Sequence, residues 1–332
     1  MNYFEHKEFR LKIRIETMLL QMPTLCRLFF TNKEQKSSIR TLERYSYTIK
    51  QFFIFLTDKI EIFKNTTPQD FDLIDLTLVE ESHIEKFKNS FIKDNTLATV
   101  GEKVYTINTF FIFFCKIGEI KENPAQYVEA PKRPDRPIIK LTLNEAKTLF
   151  NCVNNETRAK HGLRKVNEKL LIRDKTILTM FLLTGIRISE LVGLDIQDID
   201  FDNNKFQVKS KGGKFEFIYM NNELIEQLKF HINQQDYLPN DPVFKSFTNQ
   251  RINTKNVEEM VKQYSKWAGI TKQVTPHTLR KTFGTNIYNI TKDVFLAQKL
   301  LRHKYTETTT KYYVDIDEDI KRNALSNFSL LK

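Results

Sequence analysis

Apolar side chains in the first third of the chain return every three or four residues. Ile39, Leu42, Tyr45, Ile49, Phe52, Phe53 and Leu56 form one such series. That spacing puts them on one face of a helix, with Ser37 or Ser38 placed to cap its start. The same pattern predicts a second helix over Leu78–Phe91 and a third over Thr99–Lys116, which stops at Gly118. The many phenylalanines at helical spacing are read as core packing. Residues 1–130 are therefore expected to form an all-helical domain.

The pattern breaks at Pro131-Lys132-Arg133-Pro134-Asp135-Arg136-Pro137. Its prolines cannot continue a helix and favour an extended path, so residues 131–137 are predicted as a basic linker. Its cations either follow a phosphate backbone or form a plain charged connector. After the linker, Thr142-Leu143-Asn144-Glu145 fits a capping box that opens a helix toward Val153. A helix over Leu170–Thr184 should end at Gly185, and another should cover Ile188–Leu194. The period then changes. Asp198–Phe201, Lys205–Ser210 and Lys214–Met220 read as three short strands, with turns at Asp202-Asn203-Asn204 and Gly212-Gly213. Helices return from Asn221. The expected fold is mainly α: a helical first domain, then a mostly helical second domain over residues 138–332 with a small three-stranded antiparallel sheet.

Composition supports folded cores, with 40% hydrophobic and 28% charged residues among 332. Charge separates the two parts. Residues 1–130 hold 18 basic and 18 acidic side chains, so the whole net charge of +11 lies in residues 131–332. A polyanion such as nucleic acid is the partner such an excess suits; a solvated surface is the alternative. Cys26, Cys115 and Cys152 stand far apart, which excludes a disulfide framework or a zinc cluster and points to a reducing cytosol. No stretch approaches the roughly 18 apolar residues of a membrane span. The charged N-terminus does not look like a signal peptide. A cytoplasmic protein with no membrane partner is expected.

The basic half also holds groups suited to phosphodiester chemistry. Without a metal, such chemistry needs cations on the non-bridging oxygens, a proton donor for the leaving oxygen, and a nucleophile. Arg187 follows a helix break in Leu183-Thr184-Gly185-Ile186-Arg187-Ile188-Ser189-Glu190-Leu191; taken alone, it reads better as a surface arginine paired with Glu190. In Thr275-Pro276-His277-Thr278-Leu279-Arg280, Pro276 can start a helix that puts His277 and Arg280 on one face. Capping or core packing is the other use of His277. Leu300-Leu301-Arg302-His303 comes next, and Tyr312 stands nine residues after His303.

This ordered set resembles the tyrosine recombinase (phage integrase) family, which includes Xer-type recombinases and mobile-element integrases. The likeness covers essentially the whole chain. Residues 1–130 resemble the core-binding domain, Asn123-Pro124-Ala125 and Pro131-Lys132 its exit, and Thr142–Phe150 the opening helix of the catalytic domain. The resemblance implies that Arg187 and Arg280 clamp the scissile phosphate. Lys211, in Lys209-Ser210-Lys211-Gly212-Gly213-Lys214, would be the general acid for the leaving 5′ oxygen, with Lys209 and Lys214 as alternatives. His277 would accept or donate the nucleophile's proton, and His303 would hydrogen-bond the phosphate. Tyr312 would be the nucleophile, with Tyr313 its rival. Two positions depart from the family pattern: Arg302 stands where glycine is usual, which implies backbone strain, and Ser210 replaces a frequent glycine.

A 3′-phosphotyrosine and a Holliday junction would follow. The implied partners are duplex DNA with an inverted-repeat recombination site, gripped by a two-domain clamp, and a homo-tetramer on synapsed DNA. The resemblance further suggests a bacterial, nucleoid-associated enzyme serving mobile-element integration or Xer-type dimer resolution. A strand-relaxing topoisomerase of type IB and a catalytically inactive DNA-binding protein are the alternatives. No cofactor or metal is expected: there is no Walker loop, and Asp198, Asp200 and Asp202 read as turn or solvent-facing residues. The tail, Asp315–Lys332, carries Ile320, Ala324, Leu325, Phe328 and Leu331 at roughly helical intervals. It would dock on a neighbouring subunit or on its own domain.

Overall fold

A computed structural model describes residues 3–132, 139–210 and 214–302. The chain divides into two compact units, Met1–Arg136 and Pro137–Lys332. Among the described residues no helix is long and apolar enough to cross a membrane.

The first unit is helical: α1 (Tyr3–Leu19), α2 (Cys26–Glu34), α3 (Ile39–Lys59), α4 (Leu73–Thr77), α5 (Glu81–Ser90) and α6 (Leu97–Lys116). Ser38 caps α3, its hydroxyl accepting the Thr41 N–H. The predicted face of α3 is buried, including Leu42, Ile49, Phe52, Phe53 and Leu56. Around it Phe29, Phe63, Phe71, Phe87, Phe110, Phe111 and Phe114 are almost fully enclosed. Their rings meet edge to face, as at Phe52–Phe87, 5.1 Å between centroids, and Phe53–Phe71, 5.0 Å. Such contacts exploit the ring quadrupole in addition to the burial itself. The helix expected from Leu78 begins later, at Glu81. Leu78 lies in the turn that closes α4, where its N–H donates to the Asp75 carbonyl. The Thr96 hydroxyl accepts the Thr99 N–H, so α6 starts two residues before the predicted Thr99.

The second unit contains α7 (Leu143–Asn151), α8 (Asn155–Lys160), α9 (Glu168–Thr184), α10 (Ile188–Gly193), strands β1 (Ile199–Asp200), β2 (Lys205–Lys209) and β3 (Phe215–Tyr219), then α11 (Asn222–Ile232), α12 (Thr254–Trp267), α13 (Pro276–Thr291) and α14 (Val294–Leu301). The fold is mainly α with a small antiparallel sheet, as predicted. The strand order is β1-β2-β3, with Ile199 opposite Phe206 and Phe206 opposite Ile218. The first strand is shorter than expected. Asp198 closes a 3-10 turn by accepting the Asp195 N–H, and Asp200 accepts the Asn203 N–H in the turn that follows. The capping box at Thr142 and Glu145 forms with both hydrogen bonds present. Helix α9 runs through the interior, burying Ile177, Leu178, Met180 and Phe181, and packs against α11 and α13.

Candidate active site

The site begins at the end of α9. Gly185 ends this helix in the left-handed conformation, φ +59°, its N–H donating to the Phe181 carbonyl at 3.1 Å. A Cβ added there would lie 2.5 Å from the Phe283 ring and 3.0 Å from Leu301. Glycine is required by both backbone and space, because α13 and α14 press directly on the turn. Thr184 stiffens the turn, its hydroxyl donating to the Met180 carbonyl and accepting the Ile186 N–H. The chain then extends through Arg187 and enters α10.

Arg187 does pair with Glu190, but not as a solvated surface pair. The Glu190 side chain is only 3% exposed. Its carboxylate accepts the Arg187 N–H at 2.9 Å and Arg187 Nη1 at 2.7 Å. Arg187 Nη2 donates to the backbone carbonyl of Arg302 at 2.8 Å. Arg280 is buried in α13 and donates from Nη1 to the Gly185 carbonyl and from Nη2 to the Leu301 carbonyl. The two guanidiniums therefore converge on consecutive carbonyls at the C-terminal end of α14, where the helix dipole favours positive charge.

Helix α13 carries both members of the HxxR pair. Thr275 caps it, accepting the Thr278 N–H, and Pro276 occupies its first turn, as the sequence predicts. His277 lies at the exposed edge, one turn before the buried Arg280. Desolvation lowers the His277 pKa, and the charges of Lys281, Arg280 and Arg187 lower it further. A neutral imidazole beside two guanidiniums can accept a proton at neutral pH. Burial opposes ionisation of Glu190, yet Arg302 and Arg187 outweigh it and hold this carboxyl below the usual range.

The strained helix end expected at Arg302 is present: φ is +53° and ψ +47°. Its side chain is far from idle. Nη2 donates to Glu190 at 2.7 Å, and the side chain is 7% exposed. Nε faces Glu216 of β3 at 3.7 Å. Glu216 is a residue that pattern reading passed over. Alternation along β3 points the other way, toward a core face of Phe215, Phe217 and Tyr219; in the structure these face solvent and Glu216 shares the inward side with buried Ile218. A charge at an inward position implies a buried partner.

Of the hairpin lysines, Lys209 ends β2 and Lys214 is exposed, with the Ser210 N–H donating to the Lys214 carbonyl at 2.7 Å. Lys211, His303, Tyr312, Tyr313 and the tail 315–332 lie outside the described residues, as do Arg133–Pro137 of the expected linker. The described site thus brings together Arg187, Arg280 and His277, and adds Glu190 and Arg302.

Comparison with known proteins places this arrangement. Residues 140–319 match the phage integrase family model. The tyrosine recombinase XerC of Caldanaerobacter subterraneus subsp. tengcongensis is 30% identical over 314 residues, covering 90% of this chain and 84% of its own. That of Thermodesulfovibrio yellowstonii is 29% identical over 293 residues, covering 86% and 88%. Two solved structures share the fold. XerH site-specific recombinase bound to palindromic difH substrate in a post-cleavage complex has TM-score 0.67 and 18% identity, over 88% of this chain and 81% of that one. A lambda integrase dimer bound to a COC′ core site has TM-score 0.63 and 19% identity, over 87% and 75%. The match runs through the turn that presents Arg187 and through the helix that carries His277 and Arg280, and on these grounds the chain belongs to the phage integrase family of tyrosine recombinases.

Proposed function

We propose that this protein is a site-specific DNA recombinase that cuts and rejoins strands through a 3′-phosphotyrosine intermediate. The observation that carries the reading is the meeting of Arg187 and Arg280 at the carbonyl end of α14, directly before His303 in the chain. A scissile phosphate held by these guanidiniums has its non-bridging oxygens neutralised where negative charge grows in the transition state. In this reaction the Tyr312 oxygen attacks phosphorus and its proton passes to His277. The bond to the 5′ oxygen breaks as Lys211 gives that oxygen a proton. His303 donates a hydrogen bond to the phosphate. The tyrosyl ester conserves the phosphodiester, so the reverse step, with a 5′-OH from another strand attacking, needs no ATP. Repeating the exchange on the second strand pair passes through a Holliday junction.

In this reading residues 1–130 form the core-binding domain, residues 131–137 the linker and residues 138–332 the catalytic domain. The partner is duplex DNA with an inverted-repeat site. Four copies act on synapsed DNA, with the tail 315–332 docked on a neighbouring copy or on its own domain. The biological setting is mobile-element integration and excision, or Xer-type resolution of chromosome dimers, in the bacterial cytoplasm. Support comes from family membership and from the basic excess confined to the second part of the chain.

The test is covalent trapping. Wild-type chain is incubated with a random pool of nicked duplexes, and denaturant-resistant protein–DNA adducts are isolated and sequenced. An adduct is expected with the wild type and with Tyr313→Phe, and none with Tyr312→Phe. An adduct that survives Tyr312→Phe and is lost in Tyr313→Phe moves the nucleophile by one residue. If the wild type yields no adduct but shifts the same duplexes in a gel, the protein binds DNA without cutting it.

A further inference from the structure

Arg302 is the centre of a charged relay that the proposed chemistry does not use. The relay starts at Arg187, whose N–H and Nη1 both donate to Glu190. Glu190 Oε2 also accepts Arg302 Nη2 at 2.7 Å. On its other side Arg302 presents Nε to Glu216 Oε2 at 3.7 Å. Both of these atoms are shielded from solvent, and neither has a hydrogen-bond partner among the described residues. The Arg302 side chain is 7% exposed and that of Glu216 40%, yet the two facing atoms are both enclosed, and an enclosed charged atom without a hydrogen bond is costly. An approach of less than about 1 Å would bring them within ordinary N–H···O distance, and a charge-assisted bond would satisfy both.

The elements at the two ends of this relay give it meaning. Glu216 sits on β3 opposite Val208 of β2, on the inward side of the hairpin. Arg302 ends α14, where its own carbonyl holds Arg187 and the preceding carbonyl holds Arg280. The relay therefore runs from the phosphate-binding arginines to the hairpin whose connection contains the candidate proton donor. Arg302 keeps a left-handed backbone, a conformation that costs a non-glycine residue energy. The two carboxylates its side chain reaches offset that cost.

We propose that Arg302 and Glu216 form a positioning tether, which fixes the β2–β3 hairpin against Arg187 through Glu190 and so sets where the hairpin lysine meets the leaving oxygen. The tether rests on the reading above, in which a hairpin lysine protonates the 5′ oxygen as the tyrosyl–phosphorus bond forms. Neither residue touches the reacting atoms; Glu216 acts through the lysine, and Arg302 acts through the lysine and, by way of Glu190, through Arg187.

The experiment replaces the bridging 5′ oxygen with sulfur in a duplex recovered by covalent trapping. A thiol leaves as the thiolate, since its pKa is about 8.5 and no proton donor is needed. The P–S bond then breaks without the lysine's proton, while the tyrosine still attacks and still passes its own proton to His277. Glu216→Gln keeps the shape of the side chain and removes its charge. It is expected to slow cleavage of the oxygen substrate at least about tenfold, within the roughly 10²–10⁴-fold that a whole general acid supplies, and to leave the sulfur substrate within about threefold of wild type. Arg302→Gly relieves the backbone but also takes from Glu190 the partner that braces Arg187, so it is expected to slow both substrates. Equal slowing of both substrates by Glu216→Gln, or slowing of neither, overturns the tether.

Lys211→Ala on the same pair of substrates separates this idea from the reading beneath it. If sulfur rescues Lys211→Ala but not Glu216→Gln, the acid stands and the tether falls. If it rescues Glu216→Gln but not Lys211→Ala, the tether stands and the proton comes from another hairpin lysine. Rescue of neither overturns both.

Discussion

The two units use buried side chains differently. In Met1–Arg136 the interior is aromatic, with Phe29, Phe52, Phe53, Phe87, Phe110 and Phe111 fully enclosed. Its buried carboxylate, Glu43, is held by Arg14 and Arg40, whose side chains remain largely in solvent. In Pro137–Lys332 the cations themselves go inside. Arg280 and Arg302 are buried, as are Glu190 and Asp174. Asp174 accepts from Arg173 and from the Tyr264 hydroxyl at 3.0 Å, and burial pushes the tyrosine pKa up. The difference teaches what each kind of burial is good for. Apolar packing is strong but non-directional, and it sets shape. Buried charge stabilises little on balance, because desolvation opposes it, yet it demands fixed partners at fixed angles. In the proposed reaction that rigidity would aim the donors before the phosphate arrives.

The contrast can be broken at its apolar end first. Phe52→Ala should destabilise the first unit by about 3–5 kcal/mol through lost burial and the cavity left behind. The chain's one tryptophan, Trp267, lies in α12 of the second unit. Urea unfolding followed by circular dichroism should therefore split, with the Trp267 fluorescence midpoint unmoved. A fluorescence midpoint that falls in step would mean the units do not unfold separately.

At the charged end, Arg187→Ala should reduce covalent adduct formation by about 10²–10³-fold, the loss of one preorganised transition-state contact. DNA binding measured by gel shift should be nearly unchanged. Equal loss of binding and cleavage would make Arg187 a binding residue.

Gly185→Ala joins the two regimes, since a packing clash there would disturb a charged site. With φ at +59° and a Cβ only 2.5 Å from the Phe283 ring, a loss of about 2 kcal/mol in the second unit's urea midpoint is expected. A variant as stable as the wild type would show that α13 and α14 can yield.

The smallest expected effect is with pH. Burial lowers the pKa of His231, and partial desolvation with nearby cations lowers that of His277 at the exposed edge of α13, both from 6.5. The unfolded chain then takes up protons first as pH falls. The stability present above about pH 6.5 should decline as pH drops toward the folded values. The Trp267 midpoint should fall between about pH 7 and 5.5, and His231→Gln should flatten that fall. Glu190 works in a lower window: its folded pKa lies below the ordinary 4.5, so its contribution is lost only in stronger acid. A midpoint that is flat to pH 5.5 would place both histidines in environments that tolerate charge.

Local rules that need only neighbours in the chain made much of this fold readable. The α3 face, its Ser38 cap, the Thr142–Glu145 box, the Gly185 stop and the Pro276 start each depend on residues within four positions of one another. The sheet was legible in outline because alternation and turn residues are also local. Helices α1, α2 and α4 were not. The face of α1 is Leu11, Ile15, Met18 and Leu19 among many charged residues, and α4 spans only Leu73–Thr77, too short for a period to show. The start of α5 is not legible in the sequence, because Leu78 looks like a helix position and only the α4 turn removes it.

The sequence by itself determined a basic, mostly helical second half containing Arg187, His277 and Arg280 in family order, since motif and charge are written residue by residue. Only the tertiary structure decided what those side chains do to one another. Arg280 reaches a carbonyl 95 residues away, Arg302 meets Glu190 at a separation of 112, and Tyr264 meets Asp174 at 90. Buried charges must find partners or remain outside, and which partners exist depends on helices closing over one another. No spacing rule along the chain carries that information.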